Sequence, residues 1–129
     1  MSRQDLLPDD VRRFILTSVP SVPYLESLLL LRGEASSSWN APALARRIYV
    51  PESQAARLLD ALEATGMAAR TSGEENAFRY APPPELADLL DRVATHYAGN
   101  LLAITDMIHS GLNRRALQFA DAFRWRKDS

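Results

Sequence analysis

The sequence contains no cysteine, only two histidines, and no large excess of either charge. The lack of cysteine excludes disulfides, zinc ribbons and cysteine nucleophiles. His96 and His109 lie thirteen positions apart in one predicted helix, about 20 Å along its axis, so they cannot bind one metal ion together. No phosphate-binding glycine loop and no nucleophile elbow is present. We therefore predict that the chain is not an enzyme and that it needs no metal or other cofactor.

Long apolar runs are lacking as well. The longest run, Leu28–Leu31, is far shorter than the roughly 20 residues of a membrane-spanning helix. The acidic N-terminus does not resemble a secretory signal. A length of 129 residues with 47% apolar residues is typical of one globular domain with a real core. We therefore expect a single cytoplasmic domain over residues 1–129, with no role at a membrane.

The spacing of the apolar residues predicts a mainly α-helical fold with one small β-hairpin. The helices expected before the hairpin cover residues 8–17, 23–32, 41–48 and 52–65. Two short β-like runs, 67–70 and 78–81, flank a turn rich in Gly, Glu and Asn, and they predict the hairpin. A long helix is expected from Glu85 to Ile108, with a kink or a close helix contact at Gly99, and another amphipathic helix after Asn113.

Residues 41–81 are the unit around which the chain is organised. A short helix, a tight turn at Tyr49–Pro51, a longer helix ending at Gly66 and a hairpin together predict a winged helix-turn-helix. Trp39 is expected to form a minimal strand beside the wing and to be a core residue rather than a binding residue. The predicted parts are an N-terminal helix and linker, a winged helix-turn-helix core, and C-terminal helices. They cover residues 1–22, 23–81 and 82–129.

The core resembles the helix-turn-helix of bacterial MarR-type regulators of transcription. The residues that carry the resemblance are Leu44, Ala45, Ile48, Val50, Arg57, Leu58, Leu59, Asp60, Leu62, Glu63, Gly66 and Met67. The resemblance covers residues 23–80, and it implies a dimeric protein that binds double-stranded DNA, with Asp60 as the partner of an arginine. Glu52 and the pair Glu74–Glu75 depart from the family, which usually has a polar, often basic, reading helix and a basic wing.

The outward face of the helix 52–65 is expected to enter the major groove, as recognition helices do. Gln54 is a candidate for pairing with adenine, Arg57 for guanine or phosphate, and Ser53 for either a base or a phosphate. The candidate contacts to the DNA backbone are arginines near this helix or on the wing, namely Arg46, Arg47, Arg70 and Arg79.

The charge of residues 41–81 keeps a second hypothesis open, because five arginines are matched there by five acids. Glu52 would repel phosphate, whereas DNA binding normally gains from counterion release at basic contacts. The alternative function is a winged helix that binds a protein partner and not DNA. The C-terminal helices are expected either to form a homodimer or simply to cover the leucine-rich helix. The tail Arg124–Lys127 would contact DNA or an acidic partner.

Overall fold

The computed structural model describes residues 7–73 and 76–111, which fall into two compact units. One unit is Pro23–Ala94, and the other combines Met1–Val22 with Thr95–Ser129. The helix expected after Asn113 and the basic tail lie outside the described residues.

Six helical segments and one small sheet are present in the described part of the chain. The named helices are α1 (Asp9–Ser18), α2 (Val22–Gly33), α3 (Ala41–Ile48), α4 (Glu52–Ala64) and α5 (Pro84–Gly99). A further helical segment, α6, covers residues 101–111. Strands β1 (Ala68–Arg70) and β2 (Phe78–Tyr80) pair antiparallel, with Ala69 opposite Arg79. The prediction of a mainly α-helical fold with a small hairpin is confirmed.

Helices α3 and α4 pack against each other in the Pro23–Ala94 unit. The Asn40 side chain caps α3, because its oxygen accepts a hydrogen bond from the Ala43 amide at 2.9 Å. Pro51 precedes α4, which buries one apolar stripe. The stripe consists of Ala55, Leu58, Leu59 and Leu62.

Trp39 joins the hairpin to the chain that enters α3. Its backbone N–H donates to the Phe78 carbonyl at 2.7 Å, and the Phe78 N–H donates back to the Trp39 carbonyl at 2.8 Å. The Trp39 side chain is only 4% exposed. The predictions of a minimal strand at this position and of a buried core tryptophan are both confirmed.

Two polar contacts connect α2 to other elements of the same unit. The hydroxyls of Tyr24 and Thr65 share a hydrogen bond of 2.8 Å, which ties the start of α2 to the end of α4. Burial raises the pKa of the Tyr24 phenol above its ordinary value, and the bond to Thr65 offsets part of that rise. At the other end of α2, Arg32 pairs with Asp91 of α5 at 2.9 Å.

The prediction of one long helix from Glu85 to Ile108 is wrong, because the interruption expected at Gly99 is a full break. Helix α5 ends at Gly99, and α6 begins two residues later. The Asn100 side-chain amide donates to the His96 carbonyl at 3.1 Å, and the Asn100 carbonyl accepts from the Ile104 amide at 3.0 Å. Asn100 therefore closes one helix and starts the next. His96 and His109 accordingly lie on different helices.

The unit that contains α1 and α6 buries apolar side chains from both helices. They are Val11, Phe14 and Ile15 of α1, and Ala103, Ile104, Met107 and Ile108 of α6. Leu101 and Leu102, at the start of α6, remain 51% and 61% exposed.

No single helix among residues 7–73 and 76–111 has the length and apolar character needed to cross a membrane. The consecutive helices α1 and α2 have that length and apolar character only when they are counted together across the break between them.

Candidate nucleic-acid interface

The outward face of α4 is defined by Ser53, Gln54 and Arg57. Ser53 and Arg57 are four positions apart, so they lie on one side of the helix, and both are exposed. Gln54 is half-buried beside them. The structure thus brings together the three side chains that the sequence predicts for base contacts. All three side chains lie outside the apolar stripe that α4 buries.

Arg70 binds acids within the chain. Its Nε lies 3.1 Å from a carboxylate oxygen of Glu63, and one of its terminal nitrogens lies 3.7 Å from Asp60. The guanidinium also lies 4.8 Å from the centre of the Phe78 ring, in cation–π contact. Arg70 therefore fastens the hairpin to α4, and its charge is balanced by two acids of that helix.

Arg47 has partners as well. It lies 3.3 Å from both carboxylate oxygens of Glu34, and its guanidinium is 5.4 Å from the centre of the Trp39 ring. This arrangement connects the last turn of α3 with the loop that follows α2. Like Arg70, Arg47 is paired with an acid of the same chain.

Arg46, Arg57 and Arg79 are exposed, and none of them has an ion-pair partner within residues 7–73 and 76–111. Arg46 is in the last turn of α3, and Arg57 is on the outward face of α4. Arg79 pairs in register with Ala69, whereas Arg70 pairs with Phe78. Because side chains alternate between the faces of a strand, Arg79 lies on the hairpin face opposite to Arg70.

These ion pairs change the electrostatic character of the outward face. Asp60 and Glu63 are acids of α4, but both are engaged by Arg70. Glu52 is exposed in the first turn of α4, where the helix dipole favours a carboxylate. The pair Glu74–Glu75 lies outside the described residues. Within the described part, Arg70 therefore offsets one of the two negative charges of Asp60 and Glu63, and Glu52 has no ion-pair partner there.

An open groove of about 390 Å³ lies between the start of α3, α4 and the hairpin. Its lining residues are Asn40, Ala41, Pro42, Ala56, Leu59, Asp60, Arg70, Asn76 and Phe78. Asp60 and Arg70 bind each other in its wall, and the Asn40 oxygen is occupied by the α3 cap. Three polar residues that line the groove, Asn40, Asp60 and Arg70, therefore already form hydrogen bonds or ion pairs within the unit.

Sequence reasoning did not identify Tyr49 as a functional candidate. The residue follows α3 directly, has a left-handed backbone with φ 60° and ψ 50°, and is 90% exposed. A signal was available, because glycine or asparagine usually occupies this position after a helix. A tyrosine there is unusual.

Among the residues that the structure describes, no group of three histidine, aspartate or glutamate side chains is placed to hold a metal ion. Comparison with models of known protein families, with curated proteins and with solved structures found no match for this chain. Function must therefore be inferred from the residues of this chain. Their most distinctive arrangement is a polar helix face with exposed arginines on α4 and on the neighbouring helix α3.

Proposed function

We propose that the chain is a winged helix-turn-helix regulator of transcription, similar to the MarR type, that binds double-stranded DNA with α4 in the major groove. The observation that carries the proposal is the outward face of α4. Arg57 is exposed there beside Ser53 and has no ion-pair partner among the described residues, while Asp60 and Glu63 are held by Arg70. Arg57 is therefore available to a phosphate, and exposed Glu52 at the start of α4 is the acid that opposes this approach.

The order of elements supports the winged-helix part of the proposal. Two packed helices joined by a tight turn are followed by a hairpin, and Trp39 adds a single β-bridge to β2. In this arrangement the N-terminal half of α4 faces base edges. Ser53, Gln54 and Arg57 then contact bases or phosphates, because they share the outward face.

The arginines divide into two groups under this proposal. Arg46 and Arg79 are exposed without a partner in the described part, so we assign them to phosphate contacts. Arg47 and Arg70 have acidic partners and aromatic contacts inside the unit. We assign these two arginines to holding the α3–α4–hairpin unit together.

The proposal is tested by fluorescence anisotropy of a labelled pool of random 30-base-pair duplexes, measured from about 50 to 200 mM salt. We expect binding at low salt that weakens as salt rises, because each phosphate contact releases counterions. Arg57→Ala should weaken binding and reduce the slope of log affinity against log salt by about 1. Absence of binding at 50 mM salt would refute the proposal.

Arg13→Ala is the matched control for Arg57→Ala. Arg13 is an exposed arginine of α1, so its loss changes the net charge by the same amount away from α4. We expect the Arg13 variant to bind DNA as the wild type does. Equal loss of affinity in both variants would mean that net charge alone, and not the face of α4, drives the binding.

Exposed Glu52 favours a second candidate function, a winged helix that binds a protein partner. A carboxylate at the start of α4 repels phosphate but can pair with a lysine or arginine of a protein. Glu52→Gln distinguishes the two functions. If the chain binds DNA, this variant should bind more tightly than the wild type, most clearly at low salt, whereas a protein-binding role predicts no DNA binding by either form.

A further inference from the structure

Two helices of the Pro23–Ala94 unit end with the same type of hydrogen bond, from an amide to the carbonyl five residues earlier. After α3, the Val50 N–H donates to the Ala45 carbonyl at 3.2 Å, and after α4 the Met67 N–H donates to the Leu62 carbonyl at 2.9 Å. In each case the residue directly before the donor has a left-handed backbone conformation. That residue is Gly66 after α4, with φ 81°, and Tyr49 after α3, with φ 60°.

Tyr49 is an unfavourable choice for this backbone conformation. A side chain crowds the left-handed region, which is why glycine predominates at such helix ends. Gly66 follows this rule within the same unit. Packing does not explain the tyrosine either, because its side chain is 90% exposed. Residues kept in a costly conformation without a structural gain are typical of functional positions.

The place of Tyr49 in the unit indicates what it contacts. It precedes the first residue of α4, Glu52, by three positions, and it follows Arg46 by three positions. When the N-terminal half of a recognition helix faces base edges, the turn before it lies at the edge of the groove, where the phosphates run. Exposed Arg46 provides a cation close in sequence to this turn.

We propose that Tyr49 is a contact to the DNA backbone at the edge of the major groove. Its ring packs on a deoxyribose, and its hydroxyl donates a hydrogen bond to a phosphate oxygen. This inference rests on the proposed function, because it requires α4 to enter the groove. It adds a neutral contact that a search for basic residues does not find.

The test compares Tyr49→Gly and Tyr49→Phe with the wild type and with Arg57→Ala. Tyr49→Gly should raise the midpoint of thermal unfolding by about 3 °C, because glycine fits the left-handed backbone. The same variant should bind the duplex pool about 10-fold more weakly, since both the hydrogen bond of the hydroxyl and the packing of the ring on the sugar are lost. Its salt slope should stay at the wild-type value, because no cation has been removed.

Tyr49→Phe separates the hydroxyl from the ring and keeps the same backbone preference. We expect it to bind about 3-fold more weakly than the wild type, with unchanged thermal stability. This variant decides the question if Tyr49→Gly folds poorly. Wild-type affinity in the phenylalanine variant would then overturn the hydroxyl contact.

The outcomes separate this inference from the proposed function. If Tyr49→Gly binds DNA as the wild type does while Arg57→Ala binds weakly, the inference is wrong and the proposed function stands. The exposed ring would then be assigned to a protein surface. If the wild type does not bind DNA at low salt, both fail.

Discussion

At the scale of single residues, the ion pairs decide which charges are available to a partner. Arg70 lies between β1 and α4, where it meets Glu63 and Asp60 and covers the Phe78 ring. The side chains of these ion pairs are about half exposed, so each pair contributes only about 0.2–1 kcal/mol to folding. Their larger effect is electrostatic, because they screen two acids of the helix that we propose as the reader.

This view of Arg70 predicts how its removal affects DNA binding. Arg70→Ala should weaken binding because it leaves Asp60 and Glu63 without their partner near the outward face of α4. The triple variant Arg70→Ala, Asp60→Asn and Glu63→Gln should recover most of the lost DNA affinity. Anisotropy titrations at two salt concentrations measure both effects. A triple variant that stays as weak as Arg70→Ala would instead identify Arg70 as a direct phosphate contact.

At the scale of elements, the stability of α3 depends on its N-terminal cap and on its packing. The helix has only eight residues, and isolated helices of that length are unstable in water. Two features stabilise it, namely the Asn40 cap at its start and its packing against α4. The position of Arg46 and of the turn that carries Tyr49 therefore depends on a correct start at Asn40.

Asn40→Ala should lower the free energy of unfolding by about 1 kcal/mol, because the Ala43 amide loses its hydrogen-bond acceptor. Urea unfolding followed by circular dichroism measures this change. Asn40→Asp serves as the control, since aspartate caps a helix as well as asparagine does. Its negative charge also interacts favourably with the positive end of the helix dipole. Equal destabilisation by alanine and by aspartate would show that the cap is not the cause.

At the scale of the whole molecule, the chain has two compact units, and α5 contributes residues to both. We propose a homodimer through the C-terminal helices, one of the two alternatives that the sequence leaves open, on one observation within the described residues. Leu101 and Leu102 are adjacent and more than half exposed at the start of α6. A second copy of the chain would remove this apolar surface from water.

The dimer proposal predicts twice the mass of one chain in solution at micromolar concentration. Leu102→Glu should shift the protein toward the monomer, because a charge would be buried in the interface. Light scattering coupled to size-exclusion chromatography measures the mass. Ser36→Glu, in the exposed loop after α2, controls for the added charge. A monomeric wild type would contradict the proposal.

Local signals predicted part of this structure well. The prediction of a helix over residues 41–48 matched α3, because apolar spacing acts over a few residues. The full break at Asn100 was not predicted, since the apolar spacing continues from α5 into α6 without a visible change. At the candidate site, the exposure of Ser53 and Arg57 followed from helical periodicity. The partners of Arg47 and Arg70 did not, because they depend on where the chain folds back.

The β-bridge of Trp39 also has a consequence for self-association. A sheet edge with unsatisfied N–H and C=O groups can recruit a strand from another molecule and start aggregation. Phe78 would offer such groups on the side of β2 away from β1, but Trp39 binds both of them. The partner strand β1 is only three residues long and ends in Arg70. The bridge that anchors the hairpin thus also closes the edge of β2 at Phe78 to a strand from another chain.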